Sequence, residues 1–181
     1  MLKDTPDEPL ALAAAGGDRA AFATLVHRHY ARIHSLAWRL SGSKADAEDL
    51  TQEICASLPG RLRAFKGEAR FTTWLYRVVV NANHDYRRRM AAYSKATGHW
   101  GEWELDRRAQ AAQEEAQLHW LSEAMSALTP ELRDTAALLL GEDLTQSEAA
   151  EILGLSEGTI AWRMSQIKKR LKAIAAKEAA R

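Results

Sequence analysis

The side chains of this 181-residue chain that could do chemistry are mainly cations and amides, and such groups hold phosphates and base edges. Between Arg163 and Arg181 lie seven basic residues (Arg163, Lys168, Lys169, Arg170, Lys172, Lys177, Arg181) against one acid, Glu178. A second cluster is the run Arg87, Arg88 and Arg89, whereas the stretch from Trp100 to Glu123 leans acidic. Residues for making and breaking bonds are not evident. There is no phosphate-binding glycine loop, no nucleophile elbow and no paired-carboxylate site beyond acids on one helix surface. Six histidines invite a metal reading. His27 and His34, seven apart, share a helical face, but His29 points elsewhere and no cysteine or carboxylate joins them at ligand spacing. Neither a metal nor a cofactor is expected.

Composition bounds the rest. With 46% hydrophobic and 27% charged residues the chain reads as globular, and a net charge of +1 neither demands nor excludes a nucleic acid. The single cysteine, Cys55, rules out an intramolecular disulfide and fits a reducing compartment. The longest bare apolar runs are Val78 to Val80 and Leu138 to Leu140, far short of a membrane span. Leu10 to Ala15 has a faint signal-peptide look, but Asp4, Asp7 and Glu8 precede it and it is too short. The expectation is a cytoplasmic protein without membrane insertion.

Helical periodicity dominates, so the expected class is all-α, as two small helical domains on a flexible linker. A first long helix is expected from Asp18, with Phe22, Leu25, Val26, Ile33, Leu36, Ala37 and Leu40 in one apolar stripe and Gly42 as its stop. Ser43 then caps a second helix with Ala47, Leu50, Ile54 and Leu58 inward, ending at Pro59-Gly60. A third runs from Phe71 to about Met90, burying Trp74, Leu75, Val78 and Val79. From Ala92 the periodicity fades into a linker holding Trp100 and Trp103. Helices resume from Ala111 to Leu128, and Thr129-Pro130 starts another. The domains are thus expected at 1–91 and 112–181, with residues 92–111 between them.

The sharpest motif lies near the C-terminus. Thr145 to Glu148 reads as a capping box, Ala149, Ile152 and Leu153 pack a short helix, Gly154 makes a tight turn and Leu155 plugs the core. Ser156 opens a second helix. At about 100° per residue, Ile160, Met164, Ile167, Leu171 and Ile174 fall on one side. Trp162, Gln166 and Lys169 fall opposite, with Arg163 and Arg170 on a flank. This is the layout of a helix-turn-helix, whose second helix enters the major groove. An ordinary amphipathic helix with a solvated basic face would not need the cap, glycine and plug together.

Further segments carry a resemblance. Gly17-Asp18-Arg19-Ala20-Ala21-Phe22, then Asp46 to Glu53, then Phe71 to Asn81 and the run Arg87 to Arg89 look, in that order, like region 2 of the extracytoplasmic-function sigma factors. These are group IV of the sigma-70 family of bacterial RNA polymerase. The C-terminal motif resembles their region 4. The resemblance implies a promoter-recognition subunit that binds core polymerase at the clamp helices of its largest subunit and at its flap. It implies that Asp46, Asp49, Gln52 and Glu53, read as an exposed face, form the core-docking surface. Cys55 replaces a bulky apolar residue and Pro59 comes early, so that docking helix is expected to be short.

By the same resemblance the third helix reads the −10 element. The loop from Phe65 to Arg70, including Lys66, would hold a flipped base. Asn81 and Asn83 would offer amides, and Arg77, Arg87, Arg88 and Arg89 would hold phosphates. Phe71 is expected in the core, and Trp74 either there or on DNA. In region 4 the family's usual lysine is missing: Gly158-Thr159-Ile160-Ala161 is followed by Trp162. The −35 element would meet Ser156, Thr159, Trp162, Arg163, Gln166, Lys169 and Arg170, with Trp162 making apolar or stacking contact. The linker would run near the RNA exit path, and an anti-sigma factor is an implied partner. A simple helix-turn-helix regulator would share only the C-terminal motif and bind its duplex without polymerase. A helical scaffold would make no salt-dependent DNA contact.

Overall fold

The computed structural model describes residues 4–97, 123–142 and 144–178, and these contain helices and turns but no strand. Helix α1 (Asp7–Ala15) was not expected. Its side chains give little sequence signal, because only Leu10 and Ala11 are buried and no side chain caps it. Helix α2 (Arg19–Ser41) begins where expected, with the Asp18 carboxylate accepting from the amides of Ala20 at 2.8 Å and Ala21 at 3.0 Å. It ends at Gly42, whose φ of 71° closes the helix through a 2.7 Å bond to the Trp38 carbonyl. Its buried stripe includes Leu25, Ile33, Leu36, Ala37 and Leu40, as the spacing predicts.

Helix α3 (Lys44–Leu62) starts on the Ser43 cap but does not stop at Pro59. Proline there removes an amide donor and crowds the carbonyl four residues back. Leu58 and Leu62, on either side of it, are both fully buried, and their packing carries the helix through. The expected short helix is therefore nineteen residues long. Helix α4 (Phe71–Thr97) runs past the expected end at Met90, so residues 92–97 of the expected linker are helical. Its first amide is capped from a distance: the Glu8 carboxylate of α1 accepts from Phe71 N at 2.9 Å. Trp100 and Trp103 lie outside the described residues, as does most of the helix expected over 111–128.

The C-terminal domain is built from α5 (Pro130–Leu139), α6 (Gln146–Leu153) and α7 (Glu157–Glu178). The capping box is present, with Glu148 N on Thr145 Oγ1 at 3.2 Å and Thr145 N on Glu148 Oε2 at 2.8 Å. Gly154 sits at φ 66° and Ser156 Oγ accepts from Thr159 N at 3.2 Å. Helices α6 and α7 with that turn form the expected helix-turn-helix. Ile160 and Ile167 are buried, and Met164, Leu171 and Ile174 half-buried, on the expected side.

An aromatic knot closes the N-terminal core. Phe71 packs at 5.8 Å on both Phe65 and Trp74, and 5.2 Å from the ring of His29. His29 is buried rather than at the surface, with Nε2 2.8 Å from the Asp7 carboxylate of α1, which Arg28 also holds. Burial lowers the His29 pKa, outweighing Asp7, which raises it.

Two outcomes follow for stability. Pro59→Ala restores a helical donor, and urea denaturation should show a gain of up to about 3 kcal/mol; a loss would mean the proline shapes the bundle. Because the folded pKa of His29 lies below the unfolded value, the unfolded state binds more protons between the two. The His29 contribution is complete above an unfolded pKa of about 6.5 and is lost as pH falls below it. Melting temperatures at neutral and mildly acidic pH should fall less steeply in His29→Gln than in the wild type.

Candidate nucleic-acid and polymerase interface

The acidic face of α3 on which docking is expected is smaller than the sequence suggests. Asp46 is only 8% exposed, and its carboxylate accepts a 2.8 Å hydrogen bond from the Tyr86 hydroxyl of α4. The spacing contains the reason, since Asp46 lies four residues before Leu50 and eight before Ile54, on the buried stripe. Asp49 and Gln52 are exposed. Glu53 is half-exposed and pairs with Arg89 at 2.5 Å, linking α3 to the C-terminal half of α4. That ion pair holds the Arg89 pKa up.

The expected −10 residues divide into two groups. Phe65 is buried in the aromatic knot, so the 65–70 loop offers Lys66 and Arg70 but no free aromatic at Phe65. Asn83 is fully buried, four residues after Val79 on the core face, and its amide has no hydrogen-bond partner among the described residues. Asn81 is exposed, as are Arg77, Arg88 and Arg89. Trp74 is half-buried against Phe65 and Phe71, which places it with the core.

On α7, Trp162 is 60% exposed, and Lys169 and Arg170 are exposed beside it, with Gln166 half-exposed. Arg163 is turned inward, donating to the Glu131 carbonyl at 3.1 Å and the Thr135 hydroxyl at 3.3 Å, so it ties α7 to α5.

What the sequence could not reveal is that the two domains touch. Glu142, between α5 and α6, receives Arg39 at 2.6 Å, the Tyr76 hydroxyl at 2.5 Å and Arg32 at 3.3 Å, all from the N-terminal domain. Arg39 also donates to the Ala137 carbonyl at 3.0 Å. Burial, with the Glu142 carboxylate second, keeps the Tyr76 phenol protonated. Along α4, Arg77 donates to the Glu151 carbonyl at 2.8 Å, and His84 meets the Asp134 carboxylate at 2.7 Å, with Arg87 3.8 Å away. Arg70, just before α4, reaches Glu148 at 3.5 Å. These pairs join residues far apart in the chain, and no periodic pattern encodes them.

Two helical domains, one presenting an acid-bearing helix beside a cation-lined helix and the other a helix-turn-helix, have the layout of sigma-70 regions 2 and 4. The comparisons agree. Sigma-70 region 2 matches residues 25–92 and sigma-70 region 4 matches residues 118–171. The ECF RNA polymerase sigma factor SigM of Mycobacterium tuberculosis is 32% identical over 165 residues, covering 91% of this chain and 82% of the relative. SigE of Mycolicibacterium smegmatis is 32% identical over 184 residues, covering 94% and 70%. Among solved structures, CnrH in complex with the cytosolic domain of CnrY superimposes with a TM-score of 0.72 at 26% identity, covering 94% of this chain and 97% of that one. The chain belongs to the ECF RNA polymerase sigma factors, which direct RNA polymerase to promoters.

The buried Asp46–Tyr86 bond separates structure from docking by mutation. Tyr86→Phe removes a hydrogen bond from a buried carboxylate and should cost about 1–3 kcal/mol in urea denaturation. Asp49→Ala, on the open face, should stay within about 0.5 kcal/mol of wild type while weakening association with core polymerase.

Proposed function

We propose that residues 1–91 act as the core-docking and −10-melting unit, residues 92–111 as the connection and residues 112–181 as the −35-reading unit. Asp49, Gln52 and Glu53 meet basic partners on the clamp helices of the largest polymerase subunit through charge-assisted contacts, which favour fast and specific encounter. Asp46 supports that helix from behind. Arg70, Arg77, Arg88, Arg89, Lys66 and Asn81 take the phosphates and base edges of the opened −10 strand, and Arg87 joins them once freed from Asp134.

The observation that carries the −35 assignment is Trp162, a large aromatic left 60% exposed on the outer face of the second helix of a helix-turn-helix. Tryptophan is among the side chains that carry most energy at binding surfaces, and this one stands beside the exposed cations Lys169 and Arg170. Ser156 and Thr159 open that helix toward the backbone, and Gln166, Lys169 and Arg170 continue the face. Trp162 makes apolar or stacking contact in the groove, and Arg163 serves first as the brace that sets the angle of α7.

The reaction belongs to the polymerase, and this subunit contributes binding and strand separation without enzymatic chemistry or a cofactor of its own. The proposed compartment is the bacterial cytoplasm, in keeping with a lone cysteine, Cys55, and with no membrane-length apolar helix among the described residues. Control by an anti-sigma factor is supported by the similarity to CnrH, whose structure holds the cytosolic domain of CnrY.

Run-off transcription with purified core polymerase on a fragmented genomic library should give discrete new starts that share two spaced elements. Trp162→Ala should weaken use of the upstream element by about 1–3 kcal/mol, the range for one stacked aromatic, and leave core binding intact. Failure of the wild type to bind core would sink the reading in favour of a simple helix-turn-helix regulator.

A further inference from the structure

The loop whose Lys66 and Arg70 are assigned to the −10 strand is exposed from residue 66 to residue 70. It is anchored at its start by Phe65, 5.8 Å from Phe71 and 5.4 Å from Trp74 in the aromatic knot. Further support comes from α1. Gly67 holds a turn at φ 75°, which favours glycine, and a Cβ added there would stand 3.7 Å from Leu12 Cδ1. At the exit of the loop the Glu8 carboxylate accepts from Phe71 N at 2.9 Å. Arg70 immediately precedes α4, its carbonyl taking the bond from Trp74 N at 3.1 Å, but an arginine side chain has no acceptor with which to cap a helix. Glu8 and Leu12 are four residues apart, so one face of α1 touches both the turn and the exit of the loop. Another face seats α1 on α2. There Asp7 meets His29 at 2.8 Å and also holds Arg28, which donates to the Thr5 carbonyl at 3.0 Å, and Leu10 and Ala11 are buried.

We propose that Glu8 and Leu12 are positioning residues for −10 recognition: through them α1 fixes the shape of the 65–70 loop, and with it the base preference for the opened strand. This rests on the reading that Lys66 and Arg70 hold the −10 strand. Neither Glu8 nor Leu12 needs to touch DNA. An unstacked base is chosen by how well its edge meets groups already held in place, so a loop spread over several shapes accepts several bases. Losing the cap leaves the Phe71 amide without its acceptor and frees the exit of the loop. Only a fraction of the resulting shapes match the preferred base, and the preference falls by that fraction. Attraction between loop cations and phosphates depends less on exact shape and persists.

The test uses holoenzyme reconstituted from core polymerase and the full chain, with single-stranded DNA randomised across the −10 element as probe; bound strands are sequenced. Glu8→Ala should reduce enrichment of the preferred bases about fivefold, the worth of one helix cap. Glu8→Gln keeps an oxygen acceptor for the Phe71 amide and should retain the enrichment. Leu12→Ala, at a side chain 48% exposed, removes the second contact without opening the core and should flatten the same positions. It keeps the test valid should Glu8→Ala fold poorly. A role in stability alone would lower binding of every sequence alike; unchanged enrichment in both Glu8→Ala and Leu12→Ala would overturn the positioning. Equal losses in Glu8→Gln and Glu8→Ala would overturn the capping. Lys66→Ala combined with Arg70→Ala tests the underlying reading separately. Strand binding unaffected by that pair would remove the −10 role of the loop, and the proposal with it. Binding lost in that pair, with enrichment intact in the α1 variants, would leave the −10 role standing and sink the positioning alone.

Discussion

Helix α2 is packed on by α1, α3, α4 and α5, and the rest of the molecule is arranged by what that one helix can bury. Leu25, Ile33, Leu36, Ala37 and Leu40 give it an apolar stripe broad enough to seat several neighbours. At about 25 cal/mol per Å² such burial supplies most of the cohesion but little direction, since one aliphatic surface resembles another. Direction comes from two polar residues on α2. His29 takes Asp7 and so seats α1, whose Glu8 then caps α4. Arg39 takes Glu142 and the Ala137 carbonyl and so seats the C-terminal domain. Each would be costly if left unpaired in the interior, which makes alternative seatings of α1 or the C-terminal domain unfavourable.

How far this was legible in the sequence depends on the range of the interaction. Features fixed within a few residues were readable: the start of α2 at Asp18, the Ser43 cap, the Thr145–Glu148 box, the Gly154 turn and the stripe of α7. Features decided by packing were not. Pro59 looks like a stop, but buried leucines on both sides outweigh its roughly 3 kcal/mol penalty. Phe65 looks like a loop aromatic available to DNA, but Phe71 and Trp74 claim it. Asp46 and Asn83 read as outward-facing, although their spacing from Leu50 and Val79 puts them on the buried stripes. Helix α1 escaped because a short alanine-rich segment with two buried positions has almost no pattern to detect.

The near-neutral charge of the whole chain takes on a meaning once the domains are seen together. A protein that grips phosphates needs local positive potential, yet a bare cationic stripe would also attract any polyanion. Here Arg70 and Arg77 meet acids of the other domain, whereas Arg88 pairs with Asp85 on its own helix and Arg89 with Glu53 of α3. The magnitudes say which of these pairs matter. Arg70–Glu148 and Arg77–Glu151, with their arginines 77% and 44% exposed, belong to the class of surface pairs worth about 0–1 kcal/mol each. Such pairs can be exchanged for DNA phosphates at little cost. The Glu142 cluster is different, because separating the domains must rehydrate Arg39, Tyr76 and the carboxylate together. With a cheap contact beside an expensive one, the exposed pairs can open locally while the Glu142 cluster keeps the two domains seated.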